Sequence, residues 1–342
     1  MTLYERVLRP ILFSLDPEEA HNFAIAMLRL LSEMPWLLGH ISRNHAQKSG
    51  KELFGLHFPN PVGLAAGLDK NGLALPAWAA IGFGFVEVGT VTSLAQPGNP
   101  RPRIFRLPES EALINRLGFN NEGADKIAAR LKMLRASPRW PRIPVGINIG
   151  KSKVVPLEQA AADYIRSFDQ LHALGDYFVL NVSSPNTPEL RKLQEKGAIE
   201  KLFSAIRENK YGKPLLVKIA PDLTFEQMDH LLASAEAFEL AGVIATNTTT
   251  DHSTIPADRR QTGGLSGKPL RTRSMQILAH IKRHSRLPVI SVGGIMSAED
   301  AKARFDEGAD LVQIYTGLIY RGPGLVGQIN SLFRAAPPEC RL

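Results

Sequence analysis

Asn181-Val182-Ser183-Ser184-Pro185-Asn186-Thr187 places two amides and three hydroxyls within seven consecutive positions. Tyr177-Phe178-Val179-Leu180 leads directly into it and has the apolar, aromatic and β-branched character of a buried strand. Pro185 stops that strand from continuing. A turn needs one or two polar residues; this run carries enough donors and acceptors to hold a small, polar, planar ligand. Lys218 lies inside Val217-Lys218-Ile219, where an unpaired ammonium is costly to bury. Either it snorkels outward, or it acts as a Schiff-base amine or a fixed positive charge beside a developing anion. Lys70, in Gly67-Leu68-Asp69-Lys70-Asn71-Gly72, either pairs with Asp69 or caps a helix, or joins the same site. Thr90, Asn148, Asn247 and Thr248 each follow an apolar run, and each alone is no more than a turn candidate.

The elements that must position these residues repeat along the chain. Eight short apolar runs, at 61–64, 85–88, 145–147, 177–180, 215–217, 243–245, 289–292 and 311–314, each give way to polar or glycine residues. Helix-like stretches lie between them, among them 122–135, 157–174, 225–241 and 270–284. Strand alternating with helix implies a parallel sheet with right-handed crossovers. Eight such units close into a (β/α)8 TIM barrel of about 250 residues, which residues from about 55 onward can supply. An open doubly wound sheet would carry G-x-G-x-x-G after its first strand, and residues 63–67 do not match it. The expected organisation is a helical extension over 1–40, a polar linker over 41–54 and the barrel over 55–342.

Barrel active sites lie at the C-terminal ends of the strands, often with a phosphate site after strands seven and eight. Gly293-Gly294 and Tyr315-Thr316-Gly317 stand there, and Gly264-Leu265-Ser266-Gly267 precedes strand seven. Glycines let backbone N–H groups approach an anion, so a phosphate-bearing cofactor is expected, although Gly293-Gly294 alone is equally a tight turn. The long loop after strand two has two extended runs, near 103–107 and 113–115, around an acidic turn. It reads as a hairpin over the mouth, either a lid or decoration.

Composition narrows the class. A chain of 342 residues with 44% hydrophobic content can bury a sizeable core. Its single cysteine, Cys340, excludes an internal disulfide and any cysteine-ligated cluster. The nine histidines lack H-E-x-x-H spacing, so no metal site is expected. The net charge of +8 comes without a basic, aromatic-interleaved run, so no nucleic-acid partner is expected. In the extension, Leu3, Val7, Leu8, Ile11, Leu12 and Leu15 fall on one helical face. Asp16 caps a second helix with Pro17 at its first position. These two helices either pack on the barrel or lie in a membrane surface as an amphipathic hairpin, with Trp36 and the basic residues favouring the second.

Taken together, Ala65-Ala66-Gly67-Leu68-Asp69-Lys70, Asn115-Arg116-Leu117-Gly118-Phe119-Asn120, 181–187, 217–222, 245–249, 263–267 and 292–295 resemble the flavin-dependent dihydroorotate dehydrogenases of pyrimidine synthesis. Serine at position 184, where the soluble classes carry cysteine, and the N-terminal helices resemble the quinone-linked, membrane-associated class. The resemblance implies FMN at the barrel mouth and Ser184 as the base that takes the C5 proton of dihydroorotate while a hydride leaves C6. The residue pattern alone does not separate Ser184 from Ser183; the resemblance points to Ser184. Serine is a poor base, so burial, a bound water or a threonine relay must help it.

By the same resemblance, Ala66, Gly67, Leu68, Asp69, Lys70, Thr90, Asn148, Asn181, Lys218, Thr246, Gly267, Gly294, Tyr315 and Thr316 would form the FMN site. Lys218 would face the flavin edge that gains negative charge on reduction. Lys70, Asn115, Arg116, Leu117, Gly118, Phe119, Asn181, Asn186, Asn247 and Thr248 would hold substrate. A quinone would enter between the N-terminal helices and meet His21 and Arg106. The implied state is a monomer without an obligate protein partner, peripheral on the cytoplasmic face of a bacterial inner membrane. The rivals are a soluble fumarate- or NAD-linked member, a Lys218 Schiff-base aldolase, and a non-catalytic membrane-binding module.

Overall fold

A computed structural model of the chain describes residues 2–43, 50–209 and 211–333. All eight expected strands form: β1 (Val62–Leu64), β2 (Phe85–Val91), β3 (Val145–Ile149), β4 (Tyr177–Asn181), β5 (Leu215–Ile219), β6 (Gly242–Ala245), β7 (Val289–Val292) and β8 (Leu311–Ile314). They pair in parallel, each with its neighbours in sequence, and β8 closes on β1. The result is a (β/α)8 TIM barrel with N-terminal helices. The expected helices appear as Ala124–Arg135, a 3-10 turn leading into Ala160–Leu171, Phe225–Ala237 and Arg271–His284.

Period-two alternation sorts each strand between helices and lumen. Val86, Val88, Ile147, Phe178, Leu180, Val217 and Ile219 join the core beneath the helices. Phe85, Tyr177, Val179, Leu216, Ile244, Ile290 and Leu311 fill the lower lumen. Glycine makes room for the two rings: a Cβ at Gly63 would lie 2.2 Å from the Phe85 ring, and one at Gly146 would lie 2.1 Å from Tyr177. One step higher the fill becomes polar, with Glu87, Asn148, Lys218 and Gln313 all buried. The apolar floor therefore carries a polar layer, and the mouth stands above that.

Three features depart from the expectations. Lys51–Leu53 and Leu56–Phe58, inside and just beyond the expected linker, form a hairpin whose Phe58 packs edge-on against Phe85 at the barrel floor. Phe54 and Gly55 both have positive φ, as a two-residue hairpin turn requires. The linker residues 44–49 lie outside the described residues, as does Cys340. Second, the hairpin after β2 forms as Ile104–Leu107 and Ala112–Asn115, but Gly264–Gly267 joins it as a third strand rather than a free loop. Third, the N-terminal region holds a π-helical turn at Tyr4–Leu8 running into α1 (Arg9–Ser14), then α2 (Pro17–Ser32) and α3 (Pro35–Arg43), not two helices. Asp16 caps α2 by accepting from the N–H groups of Glu18 and Glu19 at 2.8 and 3.2 Å, as its position predicts. Ile25 reaches the core, while Leu3, Ile11, Phe23, Met27, Leu30 and Trp36 stay largely exposed.

Candidate active site

The polar strand ends converge. About 980 Å3 of empty space opens at the barrel mouth, lined by Ala66, Gly67, Lys70, Thr90, Asn181, Lys218 and Thr246 from the strand ends and their loops. Ser184, Asn186, Asn247 and Thr248 line it from the loops after β4 and β6, and Asn115, Leu117, Gly118 and Phe119 from the hairpin side. Gly267, Gly294, Tyr315 and Thr316 complete the wall.

A chain of amides and hydroxyls fixes the strand-end side chains. Asn148 Nδ2 donates to Glu87 Oε1 at 2.8 Å, Thr90 Oγ1 donates to Asn148 Oδ1 at 2.5 Å, and Asn181 Nδ2 donates to Thr90 Oγ1 at 2.8 Å. Asn247 Nδ2 then reaches both Asn181 Oδ1 (3.2 Å) and Ser183 Oγ (3.0 Å). Ser183 is thus enclosed in the network, fully buried and away from the lining, whereas Ser184 faces the cavity. Ser184 Oγ accepts the Asn186 N–H at 3.3 Å, and Asn186 Nδ2 donates to Asn115 Oδ1 at 3.1 Å. Three residues beyond Ser184, the buried Thr187 Oγ1 has no hydrogen-bond partner among the described residues.

The charges are left open toward the cavity. Lys218 is 5% exposed, yet among the described residues its ammonium has no hydrogen-bond partner. Burial lowers its pKa, opposed by the Glu87 carboxylate. Lys70 is likewise without a hydrogen bond among the described residues. Burial brings its pKa down to about 8, against the pull of Glu18. Gln313 Oε1, also at the lining, is buried without a partner among the described residues. Such orphaned groups are expensive unless a ligand satisfies them.

Several expected contacts point elsewhere. Leu68 and Asp69 do not line this cavity. The Asp69 carboxylate is consumed by the N–H groups of Leu73 (2.8 Å) and Ala74 (2.9 Å) and by Trp78 Nε1 (3.1 Å), so it anchors the loop rather than a ligand. Asn148 acts from beneath, through Thr90. The Arg116 guanidinium turns outward to Pro102 O and Thr262 Oγ1. Gly293-Gly294 is both a tight turn and a lining element. A Cβ at Gly294, whose φ is +74°, would lie 2.4 Å from Arg271 Cα, so helix packing alone already demands glycine there. The buried Arg304 holds this turn by donating to Gly293 O at 2.7 Å and Ser274 Oγ at 2.7 Å.

A second, half-open cavity lies between α2 and the barrel rim. His21, Arg29, Leu68, Asp69 and Ile104 line it, and Lys70 and Leu117 belong to both cavities. Burial, with the nearby Lys70 charge, lowers the His21 pKa to about 3. Arg106 does not line it. Its guanidinium is held by Leu12 O (2.8 Å) and Leu15 O, over the Phe13 ring.

Three functional neighbours escaped the sequence reading. Glu87 is a buried carboxylate within Phe85-Val86-Glu87-Val88, as anomalous there as Lys218 in its own strand. Arg191 ties two loops together, donating to Ser183 O and Thr248 O at 3.0 Å each and pairing with Asp222 at 2.6 Å. Its partners are distant in the chain, and no local signal marks it. Arg304 is the third, a buried arginine that an amphipathic helix pattern conceals.

Comparison with known proteins agrees with this geometry. A family model described as dihydroorotate dehydrogenase matches residues 50–335. The chain is 52% identical to the dihydroorotate dehydrogenase (quinone) of Gloeobacter violaceus, over 96% of this chain and 93% of that protein. It is 53% identical to the protein of the same name from Salinispora arenicola, over 95% of this chain and 97% of that protein. The solved ligand-free DHODH from Eimeria tenella superposes with a TM-score of 0.84 at 36% identity, covering 92% of this chain and 93% of that one. The chain belongs to the dihydroorotate dehydrogenase family of oxidoreductases and groups with its quinone-linked bacterial members.

Proposed function

We propose that the protein oxidises dihydroorotate to orotate in pyrimidine biosynthesis, with FMN in the barrel mouth, and passes the electrons to a membrane quinone. The observation that carries this reading is the meeting of Ser184, Asn115, Asn181, Asn186, Asn247 and two lysines without a hydrogen bond among the described residues around one cavity. The lining suits FMN: Lys218 and Gln313 Oε1 are buried polar groups wanting partners, and Gly267, Gly294 and Thr316 form a wall open to a phosphate. Ala66, Gly67, Thr90, Asn181, Thr246 and Tyr315 would complete its contacts. When bound, FMN supplies the acceptor for the hydride from substrate C6 and is reoxidised by the quinone.

The chain's own residues supply the rest. The asparagine amides and Thr248 present donors and acceptors to the ring and carboxylate of the substrate, and Lys70 adds positive charge. Ser184 takes the C5 proton. Its Oγ already accepts the Asn186 N–H, which lowers the cost of negative charge on that oxygen. Thr187, with an unpartnered buried hydroxyl, suits the relay that carries the proton away. Lys218 offsets the negative charge that reduction places on the flavin.

The second cavity suits a quinone head group beside His21, with Lys70 and Leu117 as the partition between the two reactants. Arg106 braces α1 from the far side. The exposed apolar side chains of the N-terminal helices support peripheral binding to the cytoplasmic face of the inner membrane. Among the described residues no helix is long and apolar enough to cross a membrane. Deleting residues 1–40 tests the coupling. The expected outcome is retained flavin and retained dihydroorotate oxidation with reduction of a soluble ubiquinone analogue abolished. Persisting quinone turnover would refute the access route.

A further inference from the structure

On the outer wall of the barrel, outside the lining of either cavity, three metal-type ligands come together between α4 (Phe225–Ala237) and α5 (Arg271–His284). One ligand atom each from Asp229, His280 and His284 lies within 4.8 Å of the other two. We propose that these residues form a binding site for a divalent transition ion of the zinc type, which would staple the two helices together.

The spacing provides the first argument. His280 and His284 stand one helical turn apart on the same face of α5, and their rings stack with centroids 4.1 Å apart. Phe225 of α4 stacks on the other face of His280 at 4.3 Å, which holds that imidazole in a fixed orientation. Tautomer chemistry provides the second. His284 Nδ1 lies 2.8 Å from its own helix's His280 O, and a carbonyl can only accept, so Nδ1 carries the proton. In the neutral ring this leaves the lone pair on Nε2. Donation of the second ring N–H to a backbone carbonyl is the usual way a protein orients a metal-binding histidine.

The third argument is the Asp229–His280 contact. His280 Nε2 donates to Asp229 Oδ1 at 2.6 Å, closer than two cis ligands of one ion. With bonds of about 2.0–2.2 Å, tetrahedral ligands sit roughly 3.3 Å apart, so this pair must open while His284 draws in. The Asp229 side chain is 45% exposed and free to rotate by that amount. As the metal–nitrogen bond forms, His280 gives up its Nε2 proton to solvent and takes one from solvent at Nδ1, so the ring stays a neutral imidazole, and the carboxylate becomes a ligand, with water in the fourth position. Two imidazoles and one carboxylate suit zinc; calcium and magnesium prefer oxygen ligands.

Zinc sulfate titrated by calorimetry into the chelator-stripped full chain tests the proposal, beside His284→Ala and Asp229→Asn. His284 is exposed and the Asp229 side chain is half-exposed, and circular dichroism checks that the variants fold. Cys340 and the remaining histidines stay in all three proteins. The expected result is one zinc per chain, about tenfold or more weaker binding in each variant, and a zinc-dependent rise in melting temperature confined to the parent protein. Equal zinc affinity in parent and variants, or no stoichiometric uptake by the parent, would overturn it.

Discussion

An ammonium inside a barrel must find a counter-charge or tend to lose its proton. Lys218 has Glu87 beneath it and the cavity above, with no hydrogen-bond partner among the described residues. In the proposed complex the flavin edge supplies the missing acceptor. A hydrogen bond to a charged group contributes about 1.5–3 kcal/mol, so Lys218→Met should weaken FMN binding by roughly 10- to 100-fold. Flavin fluorescence quenching on titration into apoprotein measures it, and unchanged affinity would count against that role. Lys218 was legible in the sequence because a charge stands out in an apolar strand. Glu87 carries the same signal but lies mid-strand, where attention to strand ends misses it. Ser183 and Ser184 could not be separated, because facing past the end of β4 depends on the turn and on Asn247, which arrives from another loop.

At the scale of elements, α2 is tied to the hairpin rather than merely laid on it. Glu18, 6% exposed, receives Arg103 Nη2 at 2.7 Å and Nε at 3.0 Å, and Arg101 adds a third contact. Removing one partner of a buried pair costs about 3–5 kcal/mol, so Glu18→Ala should unfold at markedly lower denaturant. It should also slow quinone reduction more than dihydroorotate oxidation. Equal losses in both half-reactions would detach α2 from quinone access. On the same helix, His21 refuses in the fold a proton that the unfolded chain accepts between pH 6.5 and about 3. Its contribution to stability is intact above 6.5 and declines as pH falls toward 3. His21→Gln should therefore flatten the acid limb of the stability profile; urea midpoints at a series of pH values would show an unchanged slope if the assignment is wrong. The cap at Asp16 was legible because capping is local. The ion pair was not, since Glu18 and Arg103 meet only after the hairpin folds back.

For the molecule as a whole, the barrel was readable because each of its eight units repeats one local pattern, an apolar run ending in polar residues. What escaped were the pieces whose partners lie elsewhere: the floor hairpin around Phe54-Gly55, and Gly264–Gly267, whose role as a third hairpin strand is set by Ala112–Asn115. The site itself is a product of closure, because Lys70, Ser184, Lys218 and Thr316 share a wall only when β8 returns to β1. Anaerobic mixing of the FMN-loaded protein with dihydroorotate, followed at the flavin band, tests that convergence most directly. The parent protein should bleach in a single turnover, and Ser184→Ala, still yellow and folded, should bleach at least about 100-fold more slowly. Parent protein that holds flavin but does not bleach, or a Ser184→Ala variant that bleaches as fast as the parent, would contradict the account.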